Sequence, residues 1–367
     1  MRLLLLTLDP PTGAGGIEGR TVAYTSELLR REVHVEVAAL ASGQRRSEER
    51  YYGTRLVRLS SSLVQLPRTM ASLVRMMSGS SLDSVFMISG GSTTIGMLVL
   101  FFTRLTGRRS GVFFYGRDVL QSRKHPLGRL LLVASIKLAN GVGANSSHTA
   151  RLLPTDPTAV TIIYPGVDSG IAMGFSGADR DPSSPTLLFV GRLVERKGAD
   201  LLLHAFRDIG AGFPRLRLDI VGDGPEMRSL VAQATSLGLG DRVTFHGAKY
   251  GRDLWELYAR SSILVLPARE SPDDVEGFGT VFLEAGAFGV PSVGTRTGGI
   301  PEAIVDGVTG KLVNDGDLEG LGREIEGLLK DPAVLNRLGE NARGRAREFS
   351  WSRSTDQVLR LLGEGLA

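Results

Sequence analysis

Short apolar runs bounded by glycine, proline or polar residues recur through the first half of the chain, at 3–8, 33–40, 54–59, 85–89, 111–115 and 141–145. Between them lie stretches whose apolar residues recur every three or four positions, at 20–31, 66–77, 94–106 and 127–138. Continuous apolar strands separated by amphipathic helices predict a parallel sheet covered on both faces, the doubly wound α/β arrangement. The second half repeats the pattern, with strands expected at 187–190, 216–221, 242–245, 263–266 and 291–294. Between the halves, residues 164–185 hold Pro165, Gly166, Gly170, Gly174, Gly177, Pro182 and Pro185 among several serines, the composition of a linker or hinge. A chain of 367 residues exceeds the usual size of one core, so two domains are expected. Their bounds read as 1–165, a linker at 166–185, a second domain at 186–348, and a closing helix at 349–367.

Hydrophobic content of 42% against 22% charged residues describes a globular chain able to bury two cores. The absence of cysteine excludes disulfides, thiolate metal sites and a cysteine nucleophile, and fits a reducing compartment. The apolar start is too short to span a bilayer and runs into Asp9-Pro10-Pro11 without a small-residue cleavage site, so it reads as the first strand. Charge then separates the halves. Residues 1–180 carry 21 lysines and arginines against 12 acids, whereas the remainder carries 22 against 27. Arg45, Arg46, Arg68, Arg75, Arg104, Arg108, Arg109, Arg123, Lys124 and Arg129 suit the basic half to an anionic membrane surface or an acidic acceptor. The helix at 66–77, with Met70, Leu73, Val74, Met76 and Met77 beside Arg68 and Arg75, reads either as an interfacial helix or as a core helix with exposed arginines. Aromatic content of 6% without interleaved basic residues argues against nucleic acid.

Candidate chemistry concentrates in the second half. Glu276 precedes a turn containing Gly277 and Gly279, and the apolar run at 281–288 reads as a helix starting near Phe278. The free N–H groups and positive end of such a helix can seat a phosphate. Glu284 would lie beyond that phosphate, where it could accept hydrogen bonds from a ribose, while Glu276 faces whatever the phosphate carries. Two acids bracketing a diphosphate suggest a nucleotide sugar. The strand at 187–190 ends in Gly191-Arg192 and runs on through Glu195, Arg196, Lys197 and Gly198, which presents cations at a sheet's carboxyl edge. Arg192 and Lys197 are the candidates there, and Arg196 reads as a solvated loop cation. The strand at 216–221 ends in Gly222-Asp223-Gly224-Pro225-Glu226, with Pro225 placed to open a helix, but without the third glycine of a dinucleotide fingerprint. No glycine fingerprint follows the first strand either, which removes a dehydrogenase reading. The acid pairs Asp179/Asp181 and Asp315/Asp317 fall in the linker and in a polar loop, and read as coincidental spacing. His34, His125, His148, His204 and His246 show no ligand spacing.

The segments GGIEGRTVAYTSELL near the N-terminus, YPGVD at 164–168, FVGRLVERKGADLLLHAF at 189–206, VGDGPE at 221–226, FHG at 245–247 and EGFGTVFLEAGAFGVPSVGTRTGGIPEAIVDGVTG at 276–310 occur in this order. Together with the closing FSWSRSTDQVLRLL at 349–362, they resemble the retaining glycosyltransferases of family 4, which have the GT-B fold: two Rossmann-like domains facing each other across a cleft. The resemblance implies that Glu276 touches donor-sugar hydroxyls and Glu284 the nucleotide ribose. It implies further that Arg192 and Lys197 hold the donor diphosphate. The backbone amides of Phe278, Gly279 and Thr280 would contact the anion and sugar, Gly15 and Gly16 would approach phosphate and acceptor, and Phe245 to Gly247 would lie near the base. Many relatives end the strand at 111–115 with His-Gly-x-Glu, whereas this chain reads Tyr115-Gly116-Arg117-Asp118. The histidine's task would then fall to the Tyr115 hydroxyl, or to Arg117 or Asp118, unless Tyr115 merely ends the strand.

The implied reaction is hexosyl transfer from a nucleotide sugar to a lipid-linked or polysaccharide acceptor by front-face displacement, with no tightly bound cofactor and no metal requirement. The residues before Glu276, Ser271-Pro272-Asp273-Asp274-Val275, resemble those of enzymes using GDP-mannose, and UDP-sugars fit the same outline. The class implies a cytoplasmic enzyme, free or peripheral on the inner face of the membrane. Sugar-nucleotide epimerisation and a non-catalytic donor-binding subunit are the alternatives, separated from transfer by whether turnover needs an acceptor.

Overall fold

The computed structural model describes residues 1–8, 16–41, 47–78, 82–89, 91–175, 180–181 and 183–363, with the side chains of 16–18 and 63 set aside. The chain divides into two compact units, Met1–Gly166 with Trp351–Ala367, and Val167–Ser350. Among the described residues no helix is long and apolar enough to cross a membrane.

The first unit holds one eight-stranded sheet built from β1 (Arg2–Thr7), β2 (His34–Ala41), β3 (Ser47–Tyr51), β4 (Thr54–Ser60), β5 (Ser84–Met87), β6 (Arg109–Phe114), β7 (Gly141–Ala144) and β8 (Thr161–Ile162). Its order is β3-β4-β2-β1-β5-β6-β7-β8, parallel throughout except for β3, which pairs antiparallel to β4. Helices α1 (Gly16–Arg30), α2 (Leu66–Met77), α3 (Thr94–Leu105), α4 (Arg117–Arg123), α5 (Pro126–Leu138) and α6 (Ser147–Leu152) join the strands. Alternation along the strands feeds two cores. Leu4 and Leu6 enter one, with Val85, Met87, Val112 and Phe114. Leu3 and Leu5 enter the other, with Phe86 and Phe113. This double burial is why the strands read as continuous apolar runs. In this unit the strands not anticipated are β3, which is Ser-Glu-Glu-Arg-Tyr on the sheet edge, and β8, which is two residues long. A polar edge strand has no apolar signature to read.

The helix expected at 66–77 forms as α2 with those bounds, and its apolar side belongs to the core. Leu73 and Met77 are fully buried, Leu66, Met70, Val74 and Met76 pack against the same cluster, and Arg68 and Arg75 face solvent. Of the two readings, α2 fits the core helix with exposed arginines.

The second unit is a six-stranded parallel sheet of β9 (Thr186–Val190), β10 (Arg217–Val221), β11 (Val243–Phe245), β12 (Ile263–Leu266), β13 (Ser292–Thr295) and β14 (Gly310–Val313), in the order β11-β10-β9-β12-β13-β14. Strand succession reverses direction between β9 and β12, the place where open α/β sheets bind ligands beyond their carboxyl ends. Helices α7 (Ala199–Ile209), α8 (Met227–Ser236), α9 (Gly251–Arg260), α10 (Thr280–Ala287), α11 (Ile300–Ala303), α12 (Leu318–Lys330) and α13 (Pro332–Glu348) accompany this sheet. Pro225 stands two residues before α8, which opens after Glu226. The described part of the glycine- and proline-rich stretch is anchored to this unit. The Arg180 guanidinium donates to the carbonyls of Ala259, Phe288 and Gly289, and Phe175 packs its ring against Trp255 and Phe288.

After α13 the chain returns to the first unit as α14 (Trp351–Leu361). Val358, Leu359 and Leu362 are buried in the core that holds Leu3, Leu5 and Phe113. Glycines in β6 and β7 make the room. A Cβ on Gly111 would lie 2.4 Å from the Leu361 side chain, and one on Gly141 would lie 2.5 Å from the Leu361 carbonyl. Strand glycine here marks a close approach, at a cost in strand propensity.

Candidate active site

At the carboxyl edge of the second sheet, Gly191 leaves β9 and the chain passes through a short 3-10 turn, Glu195–Lys197, before α7. This turn directs Arg196 and Lys197 at Glu276, which follows β12. The Lys197 ammonium and Arg196 Nη1, the latter at 3.1 Å, both meet Glu276 Oε2, and Arg196 Nε lies 3.1 Å from Asp274 Oδ2. All three side chains of the Lys197–Glu276–Arg196 cluster are mostly buried. Burial alone would raise the Glu276 carboxyl, but the Lys197 ammonium and then the Arg196 guanidinium outweigh it and hold the group below the usual carboxylate range. Glu276 is therefore a fixed, ionised acceptor. Arg196 is not the solvated cation expected of it, because Asp274 and Glu276 draw it inward. Asp274, which helps to locate it, was visible in the sequence only as part of a donor signature.

Arg192 stands differently. It is exposed at the end of β9, and its side chain has no partner among the described residues. A cation with no structural bond to lose is available to a ligand.

Beyond Glu276 the helix starts at Thr280 instead of Phe278. Phe278 turns its ring into the core against Phe349, with centroids 5.6 Å apart. Gly279 occupies the left-handed region at φ 84°, and a Cβ there would meet the Phe282 ring at 2.6 Å. Only glycine fits this joint without strain. No side chain caps α10, and the N–H groups of Gly279, Thr280 and Val281 find no acceptor among the described residues. Free donors and the positive helix end suit an anion. Gly299 N–H donates to the Glu276 carbonyl at 2.9 Å, tying the turn before α11 to this loop.

Glu284, the fifth residue of α10, is not in contact with Glu276 in any hydrogen bond or ion pair among the described residues; it accepts a 2.7 Å hydrogen bond at Oε2 from the Tyr258 hydroxyl on α9. Burial pushes the Glu284 carboxyl up, partly offset by that hydroxyl, and pushes the Tyr258 phenol well up in turn. Tyr258 is held by stacking on Phe288, centroids 5.7 Å apart. Sequence reasoning missed it because Tyr258 lies 26 residues from its partner, on a helix with no motif of its own. Gly247, at φ 66°, accepts from Gly222 N–H at 2.9 Å, so the turns after β10 and β11 are bonded together. Beside them Asp219 is fixed by His246 Nε2 at 2.8 Å and Arg260 Nη2 at 2.7 Å.

The remaining candidates lie in the first unit. Gly15 is outside the described residues, and Gly16 opens α1. Tyr115 packs edge-on against Phe113, and the Arg20 guanidinium lies 4.9 Å above its ring. Asp118 Oδ1 accepts the N–H groups of Tyr115 and Val119, both at 2.9 Å, which closes the Tyr115–Asp118 turn around Gly116 at φ 94°. Burial raises the Asp118 carboxyl to about 6, against those backbone donors. Among the described residues no group of acids and histidines could hold a metal ion. Asp317 caps α12 through Gly320 N–H, and Asp315 accepts from Glu270 N–H.

Residues 177–345 match the family model of glycosyl transferases group 1. The chain is similar to a GDP-mannose-dependent alpha-(1-6)-phosphatidylinositol monomannoside mannosyltransferase of Mycolicibacterium smegmatis, 29% identical with 98% of each chain covered. It is also similar to a D-inositol 3-phosphate glycosyltransferase of Frankia alni, 34% identical over 67% of this chain and 64% of that one. Among solved structures, sucrose-phosphate synthase from Thermosynechococcus elongatus superposes with a TM-score of 0.80 at 21% identity, covering 98% of each chain. Anabaena HepE, crystallised with UDP and glucose, gives 0.78 at 21% identity over 99% of this chain and all of that one. With two parallel-sheet α/β domains and these relatives, the chain belongs to the group 1 glycosyltransferases, a hexosyltransferase with the GT-B fold.

Proposed function

We propose that the protein transfers mannose from GDP-mannose, with retention at the anomeric carbon, to a hydroxyl of a lipid-linked, inositol-bearing acceptor. The observation that carries the donor half is the buried Glu276 carboxylate fixed by Lys197 and Arg196 beside the uncapped start of α10. It offers an acceptor for sugar hydroxyls next to donors for a diphosphate. Similarity along nearly the whole length of the mycobacterial mannosyltransferase supports GDP-mannose and a phosphoinositide-type acceptor. A UDP-sugar is the second reading, supported by the UDP seen in Anabaena HepE.

In this reading Arg192, Lys197 and the Gly279 and Thr280 N–H groups hold the diphosphate, Glu276 the sugar and Glu284 the ribose. The acceptor oxygen bonds to the anomeric carbon on the face from which the phosphate oxygen leaves, and the departing diphosphate takes the acceptor's proton. Arg192, Lys197 and the helix start stabilise the charge that grows on the leaving oxygen, an electrostatic contribution preorganised before reaction. Tyr115 and the turn closed by Asp118 would meet sugar or acceptor from the first unit. No metal is needed where fixed cations and amides neutralise the diphosphate. The test is GDP release from GDP-mannose with and without a phosphoinositol glycolipid, with the product's anomeric configuration read by NMR. Release only with acceptor and an α-linked product are expected; acceptor-independent turnover, or an inverted product, contradicts the reading.

A further inference from the structure

The first unit carries an apolar stripe that its own core does not use. On α3, Leu98, Phe101 and Leu105 stand three and four residues apart, hence on one face, and are 37%, 53% and 69% exposed. Helix α5 packs against α3 and opens with Leu127 and Leu130, 63% and 64% exposed. The opposite side of α3 already supplies Ile95, Val99 and Leu100 to the core, so packing within the unit does not account for the outward residues. Several large apolar side chains left exposed on neighbouring helices of a folded domain point to an interaction site.

The charge around the stripe has one sign. From Thr94 to Leu138 the chain carries eight cations, Arg104, Arg108, Arg109, Arg117, Arg123, Lys124, Arg129 and Lys137, and a single acid. That acid, Asp118, is spent inside the turn at Tyr115. Arg104 lies within the stripe's own helix, and Arg123 and Lys124 precede α5. Long cationic side chains beside protruding leucines and phenylalanine can reach phosphate headgroups while the apolar groups enter the acyl boundary. By contrast, α2 has arginines facing solvent but its apolar side in the core.

We propose that the exposed face of α3 and the start of α5 docks on an anionic lipid bilayer, with Leu98, Phe101, Leu105, Leu127 and Leu130 inserted and Arg104, Arg123 and Lys124 on the headgroups. This face belongs to the first unit and the proposed donor site to the second, and its test does not depend on the transfer reaction. The full chain is sedimented with phosphatidylcholine vesicles alone and with vesicles containing about one third phosphatidylglycerol, at low and high salt. The surface predicts binding to the anionic vesicles only, weakened by salt. Arg104→Gln with Arg123→Gln should reduce partitioning roughly 25-fold, on the order of fivefold for each cation. Phe101→Ser with Leu105→Ser should reduce it about tenfold or more, with unchanged melting by circular dichroism. Arg68→Gln with Arg75→Gln on α2 is the comparison, expected to lose less than either. The proposal is overturned if the wild type stays in the supernatant, binds neutral vesicles equally, or loses binding chiefly through α2. It is also overturned if the wild type is a dimer in solution that Phe101→Ser with Leu105→Ser makes monomeric, since the stripe would then be covered by a second copy.

Discussion

In the proposed mechanism, Arg192 and Glu276 separate function from stability at the level of single residues. Arg192 is exposed, with no partner among the described residues, so Arg192→Gln should leave stability within about 0.5 kcal/mol while lowering turnover roughly 100-fold or more. Glu276→Gln instead strands two mostly buried cations and should cost about 3 kcal/mol of stability besides activity; urea melts beside steady-state rates distinguish the two. Tyr258→Phe keeps the ring stacked on Phe288 and removes only the hydroxyl that steadies Glu284. GDP binding should weaken about tenfold, whereas 2′,3′-dideoxy-GDP, which lacks the ribose hydroxyls, should bind wild type and variant alike. Losing that hydroxyl also raises the Glu284 carboxyl further, so the variant's deficit should grow toward acid pH. Asp118 has the opposite sense from an ion-paired acid. Because its folded value lies near 6, above the unfolded one, its protonated form favours the fold, and stability is lost as pH rises from about 4 through 6. Asp118→Asn should flatten that loss by on the order of 1–3 kcal/mol in denaturant titrations across the window.

At the level of elements, most strands were readable because a parallel strand buried on both faces is apolar along its length, as in Leu3-Leu4-Leu5-Leu6, whose residues alternate between two cores. What escaped was polar or brief: Ser47–Tyr51 on one sheet edge, the two-residue Thr161–Ile162, and the four-residue Gly310–Val313 at the edge of the second sheet. The start of α10 was misplaced by two residues, since Phe278 looks helical by composition but is pulled into the core by Phe349 while Gly279 makes the turn. For the candidate site, local spacing pointed to Glu276, Glu284, Arg192 and Lys197, but not to which cation is bonded to which acid. Arg196 and Tyr258 take their positions from partners 80 and 26 residues away, which no local pattern encodes. Gly279→Ala should strain the joint and collide with the Phe282 ring, weakening diphosphate binding more than it lowers stability, as calorimetric titration beside thermal melting would read.

Across the whole molecule, the two units are not simply two halves of the sequence, because α14 closes the core of the first. Leu362→Ala should therefore cost about 2–5 kcal/mol, and hydrogen exchange should show the loss in β1, β5 and β6 while β9, β10 and β12 keep their protection. The first unit is basic and the second has an acid excess, yet the second gathers Arg192, Arg196 and Lys197 at the carboxyl edge of its sheet, where the proposed diphosphate would sit. That arrangement is the account's central claim, and calorimetric titration of the wild-type protein with GDP, GMP and guanosine tests it most directly. Binding should fall in steps as the phosphates are removed, GDP being at least tenfold tighter than GMP and guanosine weakest. Equal affinity for all three, or no binding of GDP and UDP alike, would contradict a donor held through its diphosphate.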